Sequence, residues 1–231
     1  MRKGIAIALS LTGGYLVLSC VLDYLVFPEP FASPSDLPRN GTTLVNDGIH
    51  SKFVYRKTSI ETAGRLFEWD NYVYPGGGPR EIPHVHPRLR EVFQIVDGEL
   101  EFAIDGQKRV ARAGETVVAE PGTTHAFQNV SGQPAHMISR FEAAEDGPWE
   151  QLAEEGLLPD STFVQNERAG GLGRISPIQM LVFGTRHKQG YPPGLPTWAW
   201  DAIEFVIAPT ARLFGMHVYY PPNPGAQNAG A

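Results

Sequence analysis

The chain has 231 residues, a formal net charge of -6 and a single cysteine, Cys20. That length suits one folded domain with extensions, the acidic balance argues against nucleic acid as a main partner, and one cysteine excludes an internal disulfide framework. Its 25 glycines and 20 prolines imply many tight turns, and no internal repeat is visible.

The first predicted element is apolar. Arg2 and Lys3 precede Gly4 to Leu22, an uncharged run interrupted only by Ser, Thr and Gly. At about 1.5 Å per helical residue the run is about 28 Å long, close to the roughly 30 Å hydrocarbon core of a bilayer. Asp23, Glu29 and Asp36 follow it, so positive-inside bias predicts a single-pass membrane anchor, residues 1–27, with the folded domain extracytoplasmic. A cleaved secretory signal is one alternative, and a lipoprotein modified at Cys20, after Val17-Leu-Ser, is another. The blander reading, an amphipathic helix packed on the barrel, is disfavoured by the absence of a polar face along the run. Residues 28–50, rich in Pro, Ser, Asn and Gly, read as a linker.

Short strands come next. Ser51 to Lys57 and Arg65 to Tyr74 end at Pro75-Gly-Gly-Gly78. Val92 to Val96 is a strand, and Asp97-Gly98 is a strong hairpin signal. Glu99 to Ile104 follows, with Leu100, Phe102 and Ile104 on one face. Asp105-Gly106 turns the chain again into Gln107 to Ala111, and Thr116 to Ala119 comes after Ala113-Gly114. Phe127, Val130, Met137 and Ile138 mark the later strands. Strands joined by Asp-Gly turns read as a closed antiparallel sheet, not as parallel units with crossover helices.

Within these strands lies the chemistry. His84 and His86 are two apart, so on a strand they share a face and can grip one ion together. Glu91 follows a short link, Pro87-Arg-Leu-Arg90, and can return on the neighbouring strand. His125 closes Pro121-Gly-Thr-Thr-His125. Three imidazoles and one carboxylate suit a divalent transition metal with positions open for water or substrate. A lone strand histidine is more often an ordinary packed residue, and His50, His136, His187 and His217, which lack such company, are read that way.

The spacing also resembles the cupin superfamily. Gly78, five residues, His84-x-His86, four residues, Glu91, six residues and Gly98 reproduces the first motif, and Gly114, Pro121, Gly122, His125 and Asn129 match the second. One departure is that Pro121 directly precedes Gly122, where the family usually has an intervening residue. The resemblance covers roughly residues 52–142 and implies an all-β fold: a single cupin or jelly-roll antiparallel barrel. It also implies that His84, His86, Glu91 and His125 hold one divalent transition metal (Fe, Mn, Ni, Cu or Zn). Pairing of two copies into a homodimer through strand edges is implied by the resemblance alone. The barrel is expected over residues 51–145 and a helical C-terminal extension over 146–231.

In that extension, residues 147–158 read as a short helix, and Ser176-Pro177 is a helix start because serine caps and proline fits the first turn. Tyr191-Pro-Pro-Gly-Leu-Pro196 is a rigid connector. A helix from Thr197 through Ile207 is expected, with Pro209 kinking or restarting it. Its tryptophans and apolar surface fit packing within the protein or an interfacial position beside the anchor. The chain ends in a Tyr-Pro segment, Tyr219-Tyr-Pro-Pro222.

The resulting expectation is a membrane-anchored, metal-dependent enzyme acting on a small molecule, with an oxygenase reaction favoured. Phe93, Phe102 and Phe127 suggest an apolar cavity, hence an apolar or aromatic substrate. Arg65, Arg80 and Arg140 are the residues able to receive a phosphate, without positions that compel it. Gln94 and Asn129 are candidate supports behind the ligands. The alternatives are a redox-neutral cyclase, isomerase or lyase using the ion as Lewis acid, and a binding barrel without turnover.

Overall fold

A computed structural model describes residues 2–26, 39–46, 49–62, 66–79, 83–143, 176–186, 188 and 190–218. Its strands form two antiparallel sheets. The six-stranded sheet runs β1 (Thr43–Asn46), β2 (Ser51–Lys57), β3 (Phe67–Val73), β10 (Ala135–Ala143), β5 (Leu89–Asp97) and β8 (Thr116–Ala119). The four-stranded sheet runs β4 (His84–Val85), β9 (Thr124–Gln128), β6 (Glu99–Ile104) and β7 (Gln107–Arg112). This is the jelly-roll arrangement that the resemblance implied. The sheet begins earlier than expected, since β1 lies in the segment read as linker and pairs residue by residue with β2.

Alternation sorts each strand into two faces. Along β10, Ala135, Met137, Ser139 and Phe141 are buried, and the residues between them are half-buried. The inward faces of both sheets meet in one cluster of Phe93, Ile95, Val117 and Met137 with Leu100, Phe102, Ala111 and Phe127. Phe93 bridges the sheets, its ring 5.1 Å from Phe102 and 5.7 Å from Phe127. A second cluster is formed by Leu44, Phe53, Tyr55, Phe67, Trp69, Leu89 and Phe141. The β6–β7 turn is Asp105-Gly106, with φ of 47° and 79°. Two consecutive left-handed residues suit the twist of a hairpin, and that is why this dipeptide stands there.

The outer face of the six-stranded sheet carries charge. Arg140 pairs with Glu142 at 3.0 Å, and His136 Nε2 lies 2.7 Å from Asp70. Arg140 therefore points away from the interior, which overturns its candidacy as an internal phosphate ligand. Arg65, Arg80, His187, the expected helix 147–158 and the Tyr-Pro ending lie outside the described residues.

The N-terminal reading requires correction. Among the described residues no helix is long and apolar enough to cross a membrane. The run forms α1 (Arg2–Val21), continued by a π-helical turn, Leu22–Val26. Its end docks on the C-terminal helix α4 (Thr197–Leu213). Ser19 and Asp23, four apart and so on one helix face, are buried there. Asp23 forms an ion pair with Arg212, and Ser19 meets Thr210 at 3.3 Å. The polar minority of the run thus faces the C-terminal helix, neither a membrane nor the barrel of the blander reading.

The same contact accommodates a proline. Pro209 sits inside α4, which continues to Leu213 instead of restarting. Proline has no N–H, so the carbonyl of Phe205 loses its usual intrahelical donor. Cys20 Sγ lies 3.8 Å from that carbonyl oxygen and supplies a weak substitute. A short helix α2 (Ser59–Thr62) joins β2 to β3, and α3 (Pro177–Gly184) starts as expected, with Ser176 accepting from the N–H of Gln179. Thr197 is the first residue of α4, not its cap; the cap position is Pro196, without a side-chain bond.

Arg212→Met is expected to lower the thermal midpoint markedly, because it leaves Asp23 as an unpaired buried carboxylate, a change that costs about 3–5 kcal/mol in comparable settings. Asp23→Asn with Arg212→Met should recover most of that loss in a melting experiment. Equal midpoints for the Arg212→Met variant and the parent would refute the docking.

Candidate metal centre

Glu91 is carried by β5, next to Phe141 of β10 on one side and Ala119 of β8 on the other. Alternation turns its side chain inward with Phe93 and Ile95. The expected return on the strand beside β4 is not what occurs. The strand β5 belongs to the opposite, six-stranded sheet, so the carboxylate approaches the histidines across the interior. His84 and His125 are register partners on β4 and β9, and His86 follows β4 directly. The three rings stand 4.5 to 5.2 Å apart, centroid to centroid.

One donor atom from each of His84, His86, Glu91 and His125 lies within 4.8 Å of the others. Glu91 Oε2 is 2.9 Å from His125 Nε2 and 3.3 Å from His86 Nε2. His86, Glu91 and His125 are buried, whereas His84 is half-buried, so access is from the His84 side. Phe141 packs edge-on against His86, with centroids 4.9 Å apart, and closes the site from the barrel wall.

The electrostatics follow from burial. Burial alone would push Glu91 up, but the hydrogen bonds from His125 and His86, and their charges, outweigh it and hold the carboxyl well below its usual range. Burial works against a charged His125 too, and is again outweighed by Glu91, so its imidazole is pushed up. His125 Nδ1 lies 3.0 Å from the carbonyl oxygen of Thr123. A proton on Nδ1 donated there leaves the lone pair of Nε2 facing the group, the tautomer a metal ligand needs. The donor set therefore fits a divalent transition ion: three imidazoles, one ionised carboxylate and a backbone acceptor that fixes one ring.

The two candidate supports are not near the donors in the expected sense. Gln94 is exposed on the outer face, because it is three residues from Glu91 and alternation places it on the other side of β5. Asn129 is fully buried, but its amide donates to the carbonyls of Val73 and Gln133 and its oxygen accepts from Ser131. Its polar atoms shape the turn after β9. Sequence reasoning missed Thr123, Phe141 and the segment around Tyr191, which pairs with Val85. Alternation along β10 marks Phe141 as inward-facing; nothing in the sequence points to the pairing of Tyr191.

Comparison with known proteins bears on this region. Residues 71–141 match the family model described as Cupin domain. Oxalate oxidase 1 of Hordeum vulgare is 37% identical over 81 residues, which span 32% of this chain and 39% of that protein. A probable germin-like protein of Arabidopsis thaliana, subfamily 2 member 5, is 26% identical over 119 residues, 49% of this chain and 54% of its own. The chain thus spans about half or less of these relatives. Among solved structures, a recombinant oxalate oxidase in complex with glycolate is 28% identical with a TM-score of 0.36, covering 51% of this chain and 61% of that one. A Thermotoga maritima protein titled a predicted oxalate decarboxylase is 14% identical with a TM-score of 0.40, covering 49% and 99%. The matched segment contains all four donors, so the region that carries them is similar to a cupin domain.

Proposed function

We propose that this chain is a metal-dependent oxidoreductase acting on a small oxygen-bearing organic molecule, with short carboxylic acids such as oxalate the first class to test. The observation that carries the reading is the convergence of His84, His86, Glu91 and His125. The likeness to oxalate oxidase 1 over the matched 81 residues supports the reaction class.

The wall beside the donors supports a polar occupant. Trp69 Nε1, Asn71 Oδ1 and Ser139 Oγ are buried without a hydrogen-bond partner among the described residues. Ser139 and Trp69 are register partners on the inward face, one row along from Phe141 and Glu91. Each such atom costs about 1–3 kcal/mol if left unsatisfied, so an oxygen-rich ligand is favoured over a hydrocarbon. Phe93, Phe127 and Phe141 favour the second reading, an apolar or aromatic substrate of an oxygenase, because they line the same interior.

Within the chemistry each residue has a defined task. His84, His86, Glu91 and His125 would hold the ion, and the bound ion would supply open coordination positions and, for a redox-active metal, electron transfer to dioxygen. The backbone carbonyl of Thr123 would accept from His125 Nδ1 and so favour the ligating tautomer once the ion is bound. Phe141 keeps water from the buried side of His86. Ser139 and Trp69 would donate to a substrate oxygen and orient it towards the donors.

Elemental analysis of protein reconstituted separately with Mn(II), Fe(II), Ni(II), Cu(II) and Zn(II) is expected to give one ion per chain. His84→Ala and Glu91→Gln should each lose it, with affinity falling at least as far as the about 10–100-fold typical of outer-shell changes, while the fold survives. Oxygen uptake with oxalate supports the proposal. Uptake only with aromatic substrates moves it to the second reading, and oxygen-independent conversion by the zinc form alone contradicts both.

Metal affinity should also depend on pH with a fixed sign. His125 is pushed up, so the metal-free group keeps a proton that the ion must displace; Glu91 is already ionised and adds no proton. Affinity is therefore expected to fall as pH drops, by about tenfold per unit for one displaced proton, starting above the ordinary imidazole range. A flat titration between pH 5 and pH 8, measured by competition with a chelator and expressed as roughly constant affinity, contradicts this assignment.

A further inference from the structure

The strand that presents His84, and that His86 directly follows, is two residues long and lies at the edge of its sheet. Pairs that short do not persist by themselves. Its inner edge pairs with β9, and the N–H of Gly122 donates to the carbonyl of His86 at 2.9 Å. Its outer edge is completed from the C-terminal extension. The N–H of Val85 donates to the carbonyl of Tyr191 at 2.9 Å, and the N–H of Tyr191 donates back at 3.0 Å. Val85 sits between His84 and His86, so this bridge grips the ligand pair at its midpoint.

The bridging segment is itself tied down. The Tyr191 hydroxyl donates to Asp201 of α4 at 3.2 Å, and Lys188 binds Asp201 at 2.8 Å and also Glu204. Trp200 Nε1 donates to the carbonyl of Pro192 at 3.0 Å. Tyr191 is buried, and burial together with Asp201 pushes its phenol up, so the hydroxyl remains a donor at any ordinary pH. Gly190 lies against His86: a Cβ there would stand 3.9 Å from Cε1, the carbon between the two ring nitrogens. The extension is therefore in contact with the donor group and anchored to a helix outside the barrel.

We propose that Tyr191, held by Asp201, is a positioning residue of the metal centre: the C-terminal segment completes β4 and fixes His84 and His86 against Glu91 and His125. This rests on the reading of those four residues as ligands. Asp201 is half-buried and its loss leaves the Lys188–Glu204 pair in place, so Asp201→Ala tests the anchor without stripping a fully buried charge. Asp201→Asn keeps an acceptor for the tyrosine hydroxyl and serves as the rescue. Tyr191→Pro removes the N–H donated to Val85 and tests the bridge itself.

In metal-free full-length protein, the Val85 amide is expected to exchange with deuterium at least about tenfold faster in Asp201→Ala and Tyr191→Pro, with β6 amides unchanged and Asp201→Asn close to the parent. Mn(II) affinity should fall by about 10–100-fold in the first two variants, with an altered Mn(II) paramagnetic resonance spectrum, and recover in Asp201→Asn. Unchanged Val85 exchange in both variants overturns the proposal, as does faster exchange with unchanged Mn(II) affinity and spectrum. If the parent binds no Mn(II) or other ion, the ligand reading fails; the clamp then stands or falls on Val85 exchange and on the ring resonances of His84 and His86.

Discussion

A buried carboxylate facing three imidazoles across the gap between two sheets is the constraint on which the rest depends. Glu91 comes from the six-stranded sheet, and His84 and His125 come from the four-stranded one. An ionised acid in such a place is costly unless it is paired. In the protein alone the carboxylate faces His125 and His86, and it pushes the His125 imidazole towards its protonated form. A divalent ion can replace that proton and bind both sheets at one point. The aromatic contacts of Phe93 and Phe141 then read as the walls that keep this point dry.

The helices extend the same logic outward. α1 is held on α4 by Asp23 and Arg212, and α4 in turn holds Tyr191 through Asp201. Tyr191 reaches β4, and β4 presents His84. The N-terminal helix and the ligand strand are therefore linked through one element, α4, whose interior proline is tolerated because a neighbouring helix compensates the lost bond. An apolar run that resembles an anchor by length finds a protein surface instead.

Much of the barrel was legible because its signals are local. Asp105-Gly106 can adopt two left-handed residues in succession, and Leu100 and Phe102 alternate with half-buried neighbours, so the β6–β7 hairpin follows from its own residues. The donor residues were legible through the spacing of His84, His86, Glu91 and His125, but their arrangement was not, since Glu91 reaches the histidines from the opposite sheet. Gln94 stands three residues from Glu91, so strand parity alone places it on the opposite face. Asn129 shares a face with the interior but spends its polar atoms on the turn after β9, which no spacing reveals. The Asp23–Arg212 pair and the Val85–Tyr191 bridge join residues far apart in the chain, and hydropathy of one segment says nothing about a partner in another.

The most direct test is X-ray absorption on the protein loaded with one equivalent of Mn(II) or Fe(II). Three imidazole nitrogens and at least one carboxylate oxygen in the inner shell, reduced to two imidazoles in His84→Ala, is the result that the account requires. A shell of oxygen atoms only, unchanged by that substitution, would contradict it.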